Sequence, residues 1–226
     1  MVAVLTLLFL NSFMMPDIPK EEVRKLDAFS GIGISINADV YYTPGTAHEI
    51  KIEGDAKDVE DLITKVEDGF LQVKYPSGWK IRHSKLTIYI TSKELDAVKI
   101  SGSAKFKSGE PITTNEMDLA MSGSGGILFE KLNADEVDVK ISGSGNMEFL
   151  NGGADELSAK ISGSGKLNAE KFEVSEFSTA ISGSGSVRIT VKEELEARIS
   201  GSGKVYYHGT PRVNSTSSGS GKVVAL

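Results

Sequence analysis

The residues of this sequence whose types and spacing could do chemistry are the serines of a repeated Ser-Gly-Ser-Gly motif. In several copies of the motif a lysine follows the last glycine. The pentapeptide Ser-Gly-Ser-Gly-Lys occurs at 162–166, 200–204 and 218–222. A phosphate-binding loop has a similar composition, but it requires Ser or Thr after the lysine, and an aliphatic residue follows each lysine of this chain's motifs. The pattern therefore favours lysines repeated along strands over a nucleotide site.

A serine nucleophile is a second chemistry that these motifs could provide. The Gly-x-Ser-x-Gly turn of esterases is absent, because in each motif the second serine sits directly between glycines and the first has no glycine two residues before it. A base is also missing from the pattern, since His48, His83 and His208 are isolated. No two histidines stand at zinc-ligand spacing, and the chain has no cysteine. We therefore expect no catalytic residue, no metal and no cofactor, and a protein that is not an enzyme.

Composition narrows the class of partner. The chain has 226 residues and a net charge of −6, which argues against a general nucleic-acid binder because that function needs clustered positive charge. The 24 glycines and the 7% of aromatic residues favour many turns and thin layers over a thick aromatic core.

The motifs recur with a period, which indicates a repeat architecture. The first serine of the Ser-Gly-Ser element stands at Ser101, Ser122, Ser142, Ser162, Ser182, Ser200 and Ser218, with spacings of 21, 20, 20, 20, 18 and 18 residues. A flexible Gly/Ser linker has no reason to keep such a period, nor to keep apolar residues in phase with it.

Apolar and polar residues alternate before each motif, as in 137–141 and 157–161. This period of two is typical of a half-buried strand. Continuing the alternation predicts that Ile141, Gly143 and Gly145 face the core, whereas Ser142 and Ser144 face solvent. One such strand cannot bury its apolar face alone, but stacked copies can.

A period near 20 leaves room for three short strands and their corners in each coil. We therefore predict an all-β, single-stranded parallel β-helix, or β-solenoid, of the right-handed kind, with corners at 151–156 and 191–196. The predicted solenoid covers residues 99–226. Residues 27–98 lack the motif and are predicted to form a β-rich cap with one helix over Ala56–Gly69. The C-terminal edge of the solenoid is a candidate surface for self-association.

The first residues are apolar over Val2–Leu10 and again over Phe13–Met15. This run is too short to span a bilayer but has the length of the core of a secretion signal. We therefore interpret residues 1–15 as an export signal, expect no transmembrane span, and place the protein outside the cytoplasm, in the periplasm, on the outer surface or secreted.

The order of several segments resembles the head GIN domain family of putative auto-transporter adhesins, found mainly in secreted or envelope proteins of Bacteroidota. The resemblance runs from Phe29 to Val224. It includes FSGIGISINADVYYTPG, KVEDGFLQVKY, LTIYITSKELDAVKISGSA and then the Ser-Gly-Ser-Gly ladder. The resemblance implies a β-helical extracytoplasmic domain without established catalytic residues, and an adhesive role.

Basic residues flank the predicted serine column. The candidate ligand-binding face consists of Lys140, Lys160, Arg198, Lys166, Lys204, Ser142, Ser144, Ser162, Ser164, Ser182 and Ser184. Regularly spaced cations and hydroxyls on one wall suit a polysaccharide or another anionic polymer at a cell surface. The aromatic residues Trp79, Tyr41, Tyr42, Tyr206 and Tyr207 are able to stack on sugar rings or to pack in the protein. Ordinary solubilising charge explains the same lysines equally simply.

The sequence thus predicts a non-enzymatic secreted or envelope solenoid that acts as an adhesin or binds a glycan. Three alternatives stay open. A polysaccharide lyase or hydrolase would require clustered carboxylates in one groove. A regular hydroxyl array would also suit ice binding, and a structural role in the envelope needs no ligand.

Overall fold

The computed structural model describes residues 19–76, 78 and 83–226. Within these residues the chain forms twenty strands and one short helix, α1 (Ala56–Asp61). In chain order the strands are β1 (Lys20–Lys25), β2 (Gly31–Ile34), β3 (Ala38–Pro44), β4 (Glu49–Gly54), β5 (Ile63–Glu67), β6 (Phe70–Lys74), β7 (Leu86–Ser92), β8 (Ala97–Gly102), β9 (Lys105–Ser108), β10 (Ile112–Thr113), β11 (Glu116–Gly123), β12 (Gly126–Phe129), β13 (Leu132–Gly143), β14 (Asn146–Phe149), β15 (Gly152–Gly163), β16 (Lys166–Gly183), β17 (Ser186–Gly201), β18 (Lys204–His208), β19 (Arg212–Gly219) and β20 (Lys222–Ala225). The predicted export signal and Trp79 lie outside the described residues.

Each turn of the chain forms a coil with three walls. In the turn that begins at Glu156, wall A is residues 156–163, wall B is 166–169 and wall C is 172–174; the same names are used for the equivalent strands of every turn. Burial alternates along each wall, and the alternation is interrupted where two walls meet, as at Glu170 and Lys171, which are both exposed. About six such turns stack in parallel. This confirms the predicted all-β solenoid with three strands in a coil.

The repeats stack in register. On wall A, β13 pairs in parallel with β11 and with β15, so that Ser142 lies between Ser122 and Ser162. The same column continues through the first serine of every later motif. Neighbouring strands of a sheet lie about 4.8 Å apart, which sets the repeat of the column. The hand of the coil stays a prediction.

The inside of the coil is filled by stacked apolar side chains. Wall A contributes a column in which every member is at most 3% exposed: Met121, Ile141, Ile161, Ile181 and Ile199. Wall B contributes Phe106, Phe129 and Phe149, whose ring centroids are 5.7 and 6.1 Å apart in succession. Full burial of one such side chain stabilises the fold by about 1.5–3 kcal/mol. The repeat is therefore held together by contacts between turns.

The prediction that both glycines of the motif face the core is wrong for the first glycine. Gly143 is half-exposed, has φ of +114° and ends the wall-A strand where the chain bends towards wall B. A side chain there would be strained, because only glycine enters this backbone region readily. Gly145 is buried, as predicted. The Ser-Gly-Ser-Gly motif is thus a corner between two walls, not the middle of one wall.

The predicted helix over Ala56–Gly69 is also wrong beyond its first six residues. The helix ends at Asp61, and β5 then pairs with β6 in an antiparallel hairpin. Asp68 and Gly69 form the turn, with φ of 49° and 74°. Asp-Gly is a preferred two-residue hairpin turn, and the β-branched residues of β5 suit a strand better than a helix. Within the described residues no helix is long and apolar enough to cross a bilayer.

Antiparallel strands cover the front end of the stack. Strand β4 pairs with β7, and β1 pairs with β4, while β5 covers β6. Behind them, β2 lies in parallel between β6 and β8, and β3 lies in parallel between β7 and β9. Parallel stacking therefore continues across residue 99, the predicted boundary between cap and solenoid. The division into two folding units stays a prediction.

The last described turn differs from the others on its inward side. Strand β19 pairs with β17 on one side, and all eight of its residues are exposed. Ser215 and Ser217 stand in register with Ala197 and Ile199, so that polar residues replace the core residues of the preceding turn. Polar residues at these positions suit a turn whose inward side is exposed to water.

Candidate ligand-binding face

All eleven predicted site residues are exposed. The structure distributes them over three places: Lys140, Lys160, Arg198, Ser142, Ser162 and Ser182 on wall A, Ser144, Ser164 and Ser184 at the corner, and Lys166 and Lys204 on wall B. The sequence predicts one continuous face, but the bend at the first glycine of each motif separates the two sets of lysines. Wall A brings together six of the eleven residues.

Two columns of side chains run along the outside of wall A. The cation column consists of residues in direct register: Gly33, Lys99, Ala120, Lys140, Lys160, Ala180, Arg198 and Thr216. The serine column begins at Ser101 and continues with the first serine of each motif. The two columns lie two residues apart along each strand, so they share the solvent-facing side of the sheet.

The corner serines are held by the main chain. The amide of Ser144 donates to the carbonyl oxygen of Gly123 in the preceding turn at 2.9 Å, and the amide of Ser164 donates to Gly143 in the same way at 2.9 Å. These hydrogen bonds fix the backbone of the corner. The hydroxyl groups of the exposed corner serines face solvent. The corner is thus a rigid ridge of hydroxyls between walls A and B.

Carboxylates neutralise part of the cation column. Asp118 lies 3.0 Å from Nζ of Lys99 and 3.9 Å from Nζ of Lys140. Arg198 forms an ion pair with Glu196, two residues before it on the same strand. Such exposed pairs contribute about 0–1 kcal/mol to stability, but they reduce the charge available to a ligand.

Lys160 differs from the other cations of the column in its surroundings. Two residues earlier, its own strand carries Ser158, and the two neighbouring strands carry Asp138 and Ser178 in register with it. Among the described residues, no carboxylate lies within ion-pair distance of its ammonium group. Lys140 stands beside it in register on the next strand. The centre of wall A therefore carries two neighbouring cations, of which Lys140 has Asp118 at 3.9 Å and Lys160 forms no ion pair among the described residues.

A shallow groove of about 690 Å³ runs along this surface. The aliphatic stems of Lys99, Lys140 and Lys160 line it, and the small residues Ala120 and Ala180 leave gaps between the longer side chains. The serine column forms the other side. Its volume is within the range of ligand-binding clefts, about 300–1,000 Å³.

Sequence reasoning missed the two alanines and the role of Asp118. The positions of the alanines and of Asp118 could have been predicted from the sequence. Aligning the repeats on their serines places Ala120, Lys140 and Lys160 in one column and Asp118 in the column beside it. The pairing of Asp118 with Lys99 depends on which strands are neighbours, and the alignment of the repeats gives that order as well.

The histidines lie away from the serine column. The Nδ1 atom of His83 is 2.8 Å from Asp58, which also accepts a hydrogen bond from the amide of Ser84 at 2.7 Å. His208 is 3.2 Å from Glu170. His48 packs edge-on against Phe29. No group of three or more possible metal ligands occurs in the part of the chain that the structure describes.

The predicted aromatic residues have separate environments. Tyr42 is buried, its hydroxyl donates to the carbonyl of Ser92, and burial raises the pKa of its phenol. Tyr206 lies under the guanidinium of Arg188, with 4.8 Å between the guanidinium carbon and the ring centroid. Tyr207 packs against the core. Among the four tyrosines of this set, all of which the structure describes, Tyr41 on wall B is the exposed one, with 41% of its surface accessible.

The repeats and their order along the chain match a known family. A family model described as "Putative auto-transporter adhesin, head GIN domain" matches residues 28–211. No curated protein matches the chain.

Solved structures with the same fold come from Bacteroidales. A protein of Bacteroides fragilis described as a putative adhesin is 21% identical, with a TM-score of 0.87 over 93% of this chain and 98% of that chain. A putative adhesin of Parabacteroides merdae is 24% identical, with a TM-score of 0.74 over 92% and 96%. A protein of Parabacteroides distasonis described as a putative lipid binding protein is 25% identical, with a TM-score of 0.74 over 92% and 96%.

Proposed function

Because this chain belongs to the head GIN domain family of putative auto-transporter adhesins, we propose that it is a non-enzymatic binding domain at the cell surface or outside the cell. Wall A is the face that binds, and its ligand is an anionic polysaccharide. The predicted residues on wall B and at the corner are not part of the central contact.

The observation that carries this proposal is the pairing of Lys140 with Lys160. Like charges directly opposite each other on adjacent strands destabilise a sheet. In this protein the core holds the strands in register, so the backbones at Lys140 and Lys160 stay about 4.8 Å apart and the two side chains remain neighbours. A bound carboxylate or sulfate relieves that repulsion, so the site is complementary to an anion.

The repeat of the fold supports a polymer over a single small anion. Cations recur along one column from Lys99 to Arg198, and exposed hydroxyls recur beside them in every turn. A chain of uronic-acid units presents carboxylates and hydroxyls with a repeat of its own, so it is able to contact several turns at once. Contacts of this kind add through effective concentration even if each one is weak.

Calorimetric titration with polygalacturonate at low salt tests the proposal. The variant Lys140→Ser/Lys160→Ser is expected to bind about tenfold more weakly or worse, since two charge-assisted contacts are lost. The matched control is Lys131→Ser/Lys171→Ser, which removes two exposed lysines from the corner between walls B and C. Equal affinity of the wild type and the Lys140/Lys160 variant, or equal losses in both variants, would contradict the assignment.

An anionic lipid surface is the second candidate ligand. The description of the Parabacteroides distasonis protein favours it, as do the aliphatic stems and alanines that line the groove. Co-sedimentation with phosphatidylglycerol vesicles, compared with phosphatidylcholine vesicles, separates the two. Retention on the anionic vesicles without binding of polygalacturonate would replace the polysaccharide by lipid.

Self-association through the C-terminal edge is a separate proposal. Strands β19 and β20 each pair on one side within the described residues. Free strand edges are templates for pairing with another chain. Sedimentation velocity of the 226-residue chain is expected to show concentration-dependent dimers, and a monomer at every concentration would remove this proposal.

A further inference from the structure

Wall B carries an exposed aromatic pair. Tyr41 and Tyr89 stand in register on adjacent parallel strands and are 41% and 40% exposed. Their rings stack, with 5.4 Å between centroids and 23° between planes. The ammonium of Lys51 lies 5.3 Å from the centroid of the Tyr89 ring. Tyr89 covers one face of Tyr41, and on the other side Lys107 stands in register with Tyr41 on β9. The ammonium of Lys107 is directed to Glu130.

A gap in the side-chain columns lies on that side. Lys105, Gly126 and Asn146 occupy successive positions of one wall-B column, so that Gly126 lacks a side chain between two long ones. Tyr41 and Gly126 line the same cavity, whose volume is about 410 Å³. This is within the range of small-molecule sites.

The charges around the cavity are largely balanced. Asp39 is paired with Lys85 at 2.6 Å. Lys107 is turned towards Glu130 at 2.8 Å, and this contact raises the pKa of Lys107. The other charged side chains at the rim, Lys105 and Glu148, have opposite signs. The cavity therefore suits an uncharged ligand with many hydrogen-bonding groups.

We propose that this cavity binds one pyranose unit of a neutral glycan, packed against Tyr41 on the side away from Tyr89, beside the stem of Lys107, and seated over Gly126. The C–H face of a sugar ring is apolar and flat, as the tyrosine face is. Its hydroxyls, which both donate and accept, match the amide of Asn146, the carboxylate of Glu148 and the ammonium of Lys105. The inference is independent of the anionic site, because the serine corner separates wall B from wall A.

Gly126→Gln gives a direct test, because it fills the gap without removing any contact. A Cβ at Gly126 would have the carbonyl oxygen of Asn146 at 3.7 Å as its nearest neighbour, which is ordinary contact, so the variant is compatible with the fold. Tyr41→Leu removes the aromatic face and retains an apolar residue. Ser186→Gln is the matched control, since Ser186 lies in the same column two turns beyond Asn146.

Saturation-transfer NMR and calorimetry with cellohexaose and with maltohexaose supply the readout. At least one of the two is expected to bind the wild type and Ser186→Gln equally, and to bind Gly126→Gln and Tyr41→Leu about tenfold more weakly, as for loss of one stacked ring. Failure of both probes to bind the wild type, or binding that both cavity variants retain, would overturn the proposal. Polygalacturonate binding by the same variants keeps a failure at this cavity distinct from a failure at wall A.

Discussion

The Cα position of Gly143 faces the backbone of Gly123 in the preceding turn, and a Cβ on Gly143 would lie 2.6 Å from the carbonyl oxygen of Gly123. That oxygen already accepts the amide of Ser144 at 2.9 Å, so it cannot move away without loss of a hydrogen bond between turns. The first glycine of the motif is therefore required by the stacking of the corners as well as by its positive φ.

Gly143→Val is expected to lower the free energy of unfolding by about 1–3 kcal/mol or more, because a side chain strains the backbone there and meets the Gly123 carbonyl. Ser142→Ala, on the adjacent exposed position, is expected to change it by no more than about 0.5 kcal/mol. Urea denaturation followed by circular dichroism measures both. Small and equal effects would mean that the corner is not as tightly stacked as described.

Substitution of the second glycine of the motif is expected to destabilise the protein by different amounts in neighbouring turns. A Cβ on Gly165 would clash with Cγ2 of Ile141, which is branched and fixed in the core. The equivalent atom on Gly145 would meet the side chain of Met121, which is unbranched and can move. Gly165→Ala should therefore destabilise the protein by about 1–3 kcal/mol, and Gly145→Ala by less. The reverse order in a thermal melt would contradict the packing at these two positions.

Truncation of a ring in the phenylalanine column of wall B is expected to lower the stability of the protein strongly. Phe149 is 1% exposed and lies 6.1 Å from Phe129 between ring centroids. Phe149→Ala is expected to cost about 3–5 kcal/mol, since it removes a ring and leaves a cavity. Leu150→Ala is the control, because Leu150 is 38% exposed and follows Phe149 at the end of the strand. A loss of less than about 1 kcal/mol at Phe149 would be inconsistent with a filled lumen.

Removing the charge of Asp118 is expected to strengthen the binding of polygalacturonate. Its carboxylate is shared by Lys99 and Lys140. Asp118→Asn frees both ammonium groups, so on the proposed function it strengthens the binding of polygalacturonate and makes the affinity fall more steeply with salt. Asp155→Asn, an exposed carboxylate at the corner between walls C and A, is the control and should have little effect. A weaker affinity for Asp118→Asn would count against wall A.

Much of the fold was accessible from the sequence because the repeat and the alternation are both local signals. The spacing of the serines predicts the coil, and the register Ser122, Ser142, Ser162 follows from it. The orientation of Gly143 could not be predicted, because the alternation of apolar and polar residues in the sequence gives no sign that the chain turns a corner there. The sequence pattern extends the helix past Asp61 for a similar reason, since the apolar spacing of 56–66 fits a helix, whereas in the structure Asp68-Gly69 closes a hairpin.

The candidate site was accessible only in part. The pattern identified Lys140 and Lys160, but it joined them with Lys166 and Lys204, which the corner places on another wall. The tyrosines illustrate the same limit. Tyr41 and Tyr42 are adjacent in sequence, yet one is exposed and the other is buried, because neighbouring residues of a strand point to opposite sides. The stack of Tyr41 on Tyr89 depends on the insertion of β3 between β7 and β9, an order that differs from the order of the chain.

NMR mapping of bound hexagalacturonate tests the central claim about wall A most directly. In the isotope-labelled protein, the amide signals of residues 139–142 and 159–162 should shift on titration, while those of walls B and C stay in place. Shifts confined to walls B and C, or no shifts at any ligand concentration, would contradict the account.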